Sequence, residues 1–145
     1  MGTRRRSREL AMQALFFMDI NKDYSEEMLD YFFANFNPPD NVRLFFSRLV
    51  KGVIGHMNEI DHIIKRFSRN WAIGRMSYVD RNIIRIGVYE MLYCRDIPFK
   101  VSINESVDIG KKFGTEESGS FINGVMDSIH LAIENQEIKT QQQTA

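Results

Sequence analysis

One segment limits the fold more than any other. Between Val79 and Tyr93 the chain carries Ile83, Ile84, Ile86, Val88, Met91 and Leu92. At about 100° per residue these fall on almost every side of a helix. A helix that is apolar all round cannot lie on a surface; it needs neighbours on every flank. The segment is therefore the expected hub of an all-α fold. The rest of the sequence agrees, with apolar residues at helical spacing nearly throughout, little β-type alternation and only three prolines. Its 145 residues suit one domain, and 43% apolar residues suffice for its core.

Local signals divide the chain into about seven helices. Thr3 is placed to cap a first helix ending near Ile20, and Asn21-Lys22-Asp23 breaks it. Ser25 caps a second helix, with Glu26 and Glu27 in the first turn, where the helix dipole favours acids. Pro38-Pro39 ends it. Asp40 opens a long helical stretch with Leu49, Val53, Met57, Ile60, Ile64 and Phe67 on one stripe and Gly55 placed to bend it. Ser77 and Asp80 start the hub helix, which runs to about Cys94. Pro98 interrupts, and Ser102-Ile103-Asn104-Glu105 reads as a capping box. Gly114 closes that helix, and Thr115 with Glu116 and Glu117 starts the last, which carries Ile122, Val125, Met126, Ile129 and Ile133. Gly110, inside a helix, costs about 1 kcal/mol against alanine and permits close helix packing. Residues 135–145 are polar and glutamine-rich, and are expected to form a disordered tail.

Several function classes lose support. No apolar run approaches the ~20 residues that span a bilayer, and no signal-peptide pattern follows the N-terminal arginines, so a cytoplasmic location is expected. Cys94, the single cysteine, excludes an internal disulfide and fits a buried thiol. His56, His62 and His130 lack ligand spacing, so no metal or cofactor is expected. Neither a Gly-rich phosphate loop nor a nucleophile elbow occurs, and no enzymatic activity is expected.

Charge is balanced overall, with 19 basic and 19 acidic residues, which argues against coating nucleic acid by bulk charge. Its distribution is uneven. Arg4, Arg5, Arg6 and Arg8 fall within the first eight residues without an acid among them. Cations at a helix N-terminus oppose the dipole, so this cluster does nothing for local folding. Helical spacing puts Ser7, Leu10, Ala11, Ala14, Leu15 and Met18 on a core face. Arg5, Met12 and Phe16 fall opposite, with Arg8 at the margin. Arginines beside an outward ring make a phosphate-contacting surface with a base-stacking platform. The plain alternatives are solvated arginines and a Phe16 packed against a second layer. Lys111 and Lys112, expected in solvent, add salt-sensitive phosphate affinity. Phe121 sits at the edge of its apolar stripe, where a ring either stacks on a base or completes the core. Asn123 either reads a base edge or caps a helix. Glu90 shares a stripe with Val79, Ile83 and Ile86, so it is expected to be buried and hydrogen-bonded by the Pro98 loop or a neighbouring helix N-terminus.

A family resemblance sharpens these readings. Trp71, Arg75, Val79-Asp80-Arg81, Ile84-Arg85-Ile86, Tyr89-Glu90, Asp96-Ile97-Pro98, Ile103-Asn104-Glu105 and Phe121-Ile122-Asn123-Gly124-Val125-Met126-Asp127 closely resemble the C-terminal part of the NusB-type transcription antitermination factors. Arg4-Arg5-Arg6-Ser7-Arg8-Glu9 with Gln13-Ala14-Leu15 resembles their arginine-rich first helix. The resemblance implies two packed helical subdomains, about 1–70 and 71–134, forming one RNA-binding domain. It implies that a boxA-like single-stranded RNA meets Arg4, Arg5, Arg6, Arg8, Phe16, Lys111, Lys112, Phe121 and Asn123. It also implies a protein partner at Tyr78, Asp80, Arg81 and Arg85: the small-subunit ribosomal protein that doubles as NusE. Together they would join the elongating RNA polymerase complex on ribosomal RNA operons. Phe16 departs from the tyrosine common in relatives, which keeps stacking and removes a hydroxyl. The same fold occurs in some ribosomal RNA cytosine methyltransferases, but no cofactor-binding half is present here. The remaining rival is a protein-interaction module or homodimer that never touches RNA.

Overall fold

The computed structural model describes residues 2–68 and 76–139. Within them the chain forms seven helices: α1 (Thr3–Asn21), α2 (Glu26–Phe36), α3 (Asp40–Gly55), α4 (Met57–Phe67), α5 (Tyr78–Tyr93), α6 (Phe99–Phe113) and α7 (Ser118–Glu134). Trp71, Arg75, the subdomain boundary near residue 70 and residues 140–145 lie outside the described residues.

Most boundaries follow the local signals. Ser25 accepts a hydrogen bond from the Met28 N–H at 3.2 Å, and Ser77 accepts one from the Asp80 N–H at 3.0 Å. Asn37 takes a left-handed conformation (φ 38°) to end α2 before the proline pair. The long stretch from Asp40 breaks at His56 into α3 and α4, one residue past Gly55.

Three boundaries differ. Gly2, not Thr3, is the N-cap of α1. α6 starts at Phe99, directly after Pro98, because proline's fixed φ suits a helix entrance. Ser102 and Glu105 therefore sit inside the helix and form no capping box; both face other helices. α7 starts at Ser118, whose Oγ accepts from the Thr115 N–H at 2.9 Å and so stabilises the turn before it.

α5 is the hub, touched by α1, α3, α4, α6 and α7. Ile84, Val88 and Met91 are fully buried. Gly87 makes the packing possible: a Cβ there would fall 2.8 Å from Met126 Sδ and 2.9 Å from Ser106 Oγ, so α6 and α7 approach the α5 backbone closely. At Gly110 an added Cβ would meet Ile122 Cδ1 at 2.5 Å, so this glycine lets α7 settle on α6. Burial pushes the Cys94 thiol up to about 11, leaving it protonated and inert at neutral pH.

The tail expectation is corrected over residues 135–139. Ile138 is 7% exposed and joins the core, the Glu137 N–H bonds the Ala132 carbonyl at 2.8 Å, and Glu137 pairs with Arg66 at 3.6 Å. Isoleucine is the one strongly apolar residue in that polar stretch, and burying it orders the turn. Among the described residues, no helix is long and apolar enough to cross a membrane.

The hub predicts an asymmetry in stability. Ile84→Ala, at a fully buried position, should cost about 2–5 kcal/mol in urea unfolding. Leu131→Ala, at a side chain 54% exposed, should change the midpoint little.

Candidate nucleic-acid interface

The site is built on α1. Its expected core face is buried: Leu10, Ala11, Ala14, Leu15 and Met18 are each at most 4% exposed. Ser7 Oγ donates to the Val42 carbonyl at 3.0 Å, tying α1 to the start of α3. The opposite side is less open than its spacing suggests. Met12 is also buried, because α5 and α6 cover that flank and pack Ile83, Ile86 and Ile109 around it. α1 thus lies between α3 and the α5–α6 pair, with a narrow exposed strip left over.

Arg8 is not on that strip. It is 3% exposed and makes two hydrogen bonds to Glu90, Nε to Oε2 at 2.7 Å and Nη2 to Oε1 at 2.9 Å. Ser102 Oγ donates to the same Oε1 at 2.8 Å. The placement of Arg8 at an outer margin is therefore corrected: its guanidinium neutralises a buried carboxylate and has no free face for a phosphate. Glu90 is buried and satisfied as expected, but its donors are Arg8 and Ser102.

Arg5 and Arg6 stay at the surface, Arg5 against the middle of α6 and Arg6 against Glu9 of α1 itself. Arg5 donates to Glu105 at 3.0 and 2.5 Å and to Asp108 at 2.8 Å. Its hydrogen bond to Glu105 raises its pKa, and the same bond holds the Glu105 carboxyl below its usual range. Arg6 and Lys112 share one carboxylate, Glu9, each at 3.1 Å. Arg5, Arg6 and Lys112 thus form one basic strip across α1 and α6. Lys111 lies beside it, its stem crossing Gly119, where an added Cβ would sit 3.1 Å from Lys111 Cγ. Arg4 turns away: it lies 4.4 Å from the Phe45 ring centre and pairs with Asp96 at 3.2 Å, which Arg48 also holds. Hydrogen bonding by Arg48, seconded by Arg4, keeps the Asp96 carboxyl well below the usual carboxylate range.

Phe16 is half-buried. It forms the wall of an apolar groove of about 380 Å³ shared with Met12, Phe17, Phe36, Val79 and Phe113. The Lys112 ammonium stands 5.2 Å from the centre of the Phe113 ring, so the basic strip and the groove adjoin. Asn123 is exposed on α7, whereas Phe121 is half-buried and packs against the core.

The expected partner face is only partly external. Tyr78 is 40% exposed, meets Phe16 edge-on at 5.8 Å, and carries the Arg81 guanidinium 4.7 Å from its ring centre. Asp80 is half-buried. Arg85 is buried, and its assignment to a partner surface is corrected. It donates to Asp61 at 2.8 and 2.7 Å and to Asp19 at 3.1 Å. Asp19 gathers four donors, the others being Arg81, Asn82 and Tyr24. Burial pushes the Asp19 carboxyl up, but its hydrogen bonds from Tyr24 and Asn82 and the charges of Arg85 and Arg81 outweigh this, and its pKa falls. Sequence reasoning missed this cluster, because no local spacing links residues 19, 61 and 82. The Arg6–Glu9 pair was legible as an i,i+3 spacing.

The model of the NusB family matches residues 5–131. The chain belongs to the NusB family. Its relatives include the transcription antitermination protein NusB of Desulfatibacillum aliphaticivorans, 54% identical over 137 residues, covering 94% of this chain and 96% of the relative. Among solved structures it resembles NusB of T. maritima, with 34% identity, a TM-score of 0.80, and coverage of 93% and 97% of the two chains. It also resembles a chain solved in a complex of antitermination factors NusB and NusE with dsRNA, with 28% identity, a TM-score of 0.80, and coverage of 91% and 98%. The NusB helical fold of the T. maritima protein therefore extends over nearly all of this chain.

Two predictions test the internal charges of this NusB-family chain. Glu90→Gln should cost about 3 kcal/mol by removing the nearer of the two carboxylates that neutralise buried Arg8, Glu105 lying at 3.4 Å, while Arg8→Met with Glu90→Met should recover most of that in chemical denaturation. For Asp19, the folded pKa lies below its ordinary 3.8, so its contribution is complete above that value and disappears as pH falls through the lower folded value. Asp19→Asn should therefore be less stable than wild type at pH 7, and the difference in melting temperature should shrink below about pH 4.

Proposed function

We propose that this protein is a cytoplasmic transcription antitermination factor. In this reading it binds a boxA-like single-stranded RNA together with NusE and brings both to the elongating RNA polymerase on ribosomal RNA operons. It acts by binding and assembly, without catalysis. The observation that carries the proposal is the adjacency of a basic strip, Arg5, Arg6 and Lys112, and an apolar groove walled by Phe16, on a NusB-family chain.

Arg5, Arg6, Lys111 and Lys112 would meet phosphates, with Arg4 engaging the strand at the flank. Phe16 would receive a base, with Phe121 and Asn123 extending the contact along α7. A half-buried ring in a groove accepts an unstacked base more readily than a paired one, which favours single strands. Arg8 drops out of the contact set and acts by holding α1 in place. The NusE-facing surface would comprise Tyr78, Asp80 and Arg81, without Arg85. Mixed charge beside apolar surface suits a protein partner. A small RNA footprint gives modest affinity, and a partner contacting the same strand raises it by linkage.

The test is fluorescence anisotropy with a boxA-like RNA, alone and with NusE. Arg5→Ala should weaken binding severalfold, and Phe16→Ala should cost about 1–3 kcal/mol. A duplex of the same sequence should compete poorly, and RNA should tighten NusE binding. Equal affinity of wild type and an Arg5→Ala, Phe16→Ala double variant would reject the reading, leaving a protein-interaction module or homodimer.

A further inference from the structure

The basic strip is surrounded by its own acids. Arg5 is held in a fork by Glu105 and touches Asp108, one turn further along α6. Arg6 and Lys112 share Glu9, whose side chain is 5% exposed. Arg4 is held by Asp96. These cations already have counter-charges before any phosphate arrives. Asp108 in particular is not explained by stability: it is about half exposed, and exposed ion pairs contribute little to folding. Its position is explained by what Arg5 has to do, since a phosphate approaching Arg5 from solvent meets the Asp108 carboxylate at the same guanidinium nitrogen.

We propose that Asp108, with Glu105 behind it, is a negative determinant of RNA affinity. The pair holds Arg5 in an intramolecular contact that RNA must displace. The inference rests on the reading of α1 as an RNA-contacting helix. Displacing the pair leaves a carboxylate beside the phosphate, which lowers affinity for every RNA the chain meets alone. Chance encounters with RNA are thereby kept short. Stable loading then requires a second protein on the same strand.

The experiment uses the full chain and a boxA-like RNA at low salt, with Asp108→Asn, Arg5→Ala, their combination, and Asp30→Asn, exposed on α2, as a control with the same charge change. Asp108→Asn should tighten binding about three- to tenfold, and its plot of log affinity against log salt should steepen by up to about one. Asp30→Asn should give a much smaller gain. In the Arg5→Ala background, Asp108→Asn should give no gain, because the residue it restrains is gone. Thermal melting should place Asp108→Asn close to wild type. The proposal is overturned if Asp108→Asn binds no tighter than wild type, if its gain persists without Arg5, or if Asp30→Asn matches it. Arg5→Ala alone separates the two levels. If it leaves binding unchanged, the RNA-contacting reading of α1 fails, and this inference with it. If it weakens binding while Asp108→Asn does not tighten it, only this inference fails.

Discussion

Two buried guanidinium–carboxylate contacts fasten α1 to α5. Near the start of α1, Arg8 meets Glu90; near its end, Asp19 meets Arg85 and Arg81. The helices run antiparallel, so each end of α1 is locked to the opposite end of the hub. Apolar packing alone leaves a helix some freedom to slide or turn, because one methyl group replaces another at small cost. A buried ion pair does not allow this, since a shift leaves a charge buried without its partner. The two contacts thereby fix both the axial position and the rotation of α1.

That rotation decides what reaches solvent. With Arg8 turned inward to Glu90, Arg5 is turned toward α6, where Glu105 and Asp108 meet it, and Arg6 pairs with Glu9 on α1 itself. Phe16 falls beside the groove, against Tyr78. The surface that faces RNA in the proposed function is thus a consequence of two contacts that never touch RNA. Surface charge there is also nearly balanced by nearby carboxylates. In the proposed function the strip would be a set of exchangeable ion pairs, with phosphate replacing carboxylate.

Much of this was readable from residue order. The hub helix, the serine caps at Ser25 and Ser77, the stop at Gly114 and the core face of α1 all rest on contacts within a few residues. The errors at polar and charged residues share one cause. Ser102 and Glu105 have the spacing of a capping box, but they are claimed by Glu90, Arg5 and Arg8, from other helices. Arg8 was placed at the margin of an outer face and Arg85 on a partner face, and burial inverted both because acids from distant sequence waited inside. Ile138 was hidden by the polar residues around it.

The sequence by itself determined the all-α class, the enclosed hub and the basic, aromatic character of the opening helix, since periodicity and capping are properties of neighbouring residues. Only the tertiary structure decided which arginines are structural and which remain at the surface. A guanidinium is buried at tolerable cost only where a buried carboxylate neutralises it, and the partners that do so, Glu90 for Arg8 and Asp19 for Arg85, come from parts of the chain that no local pattern connects.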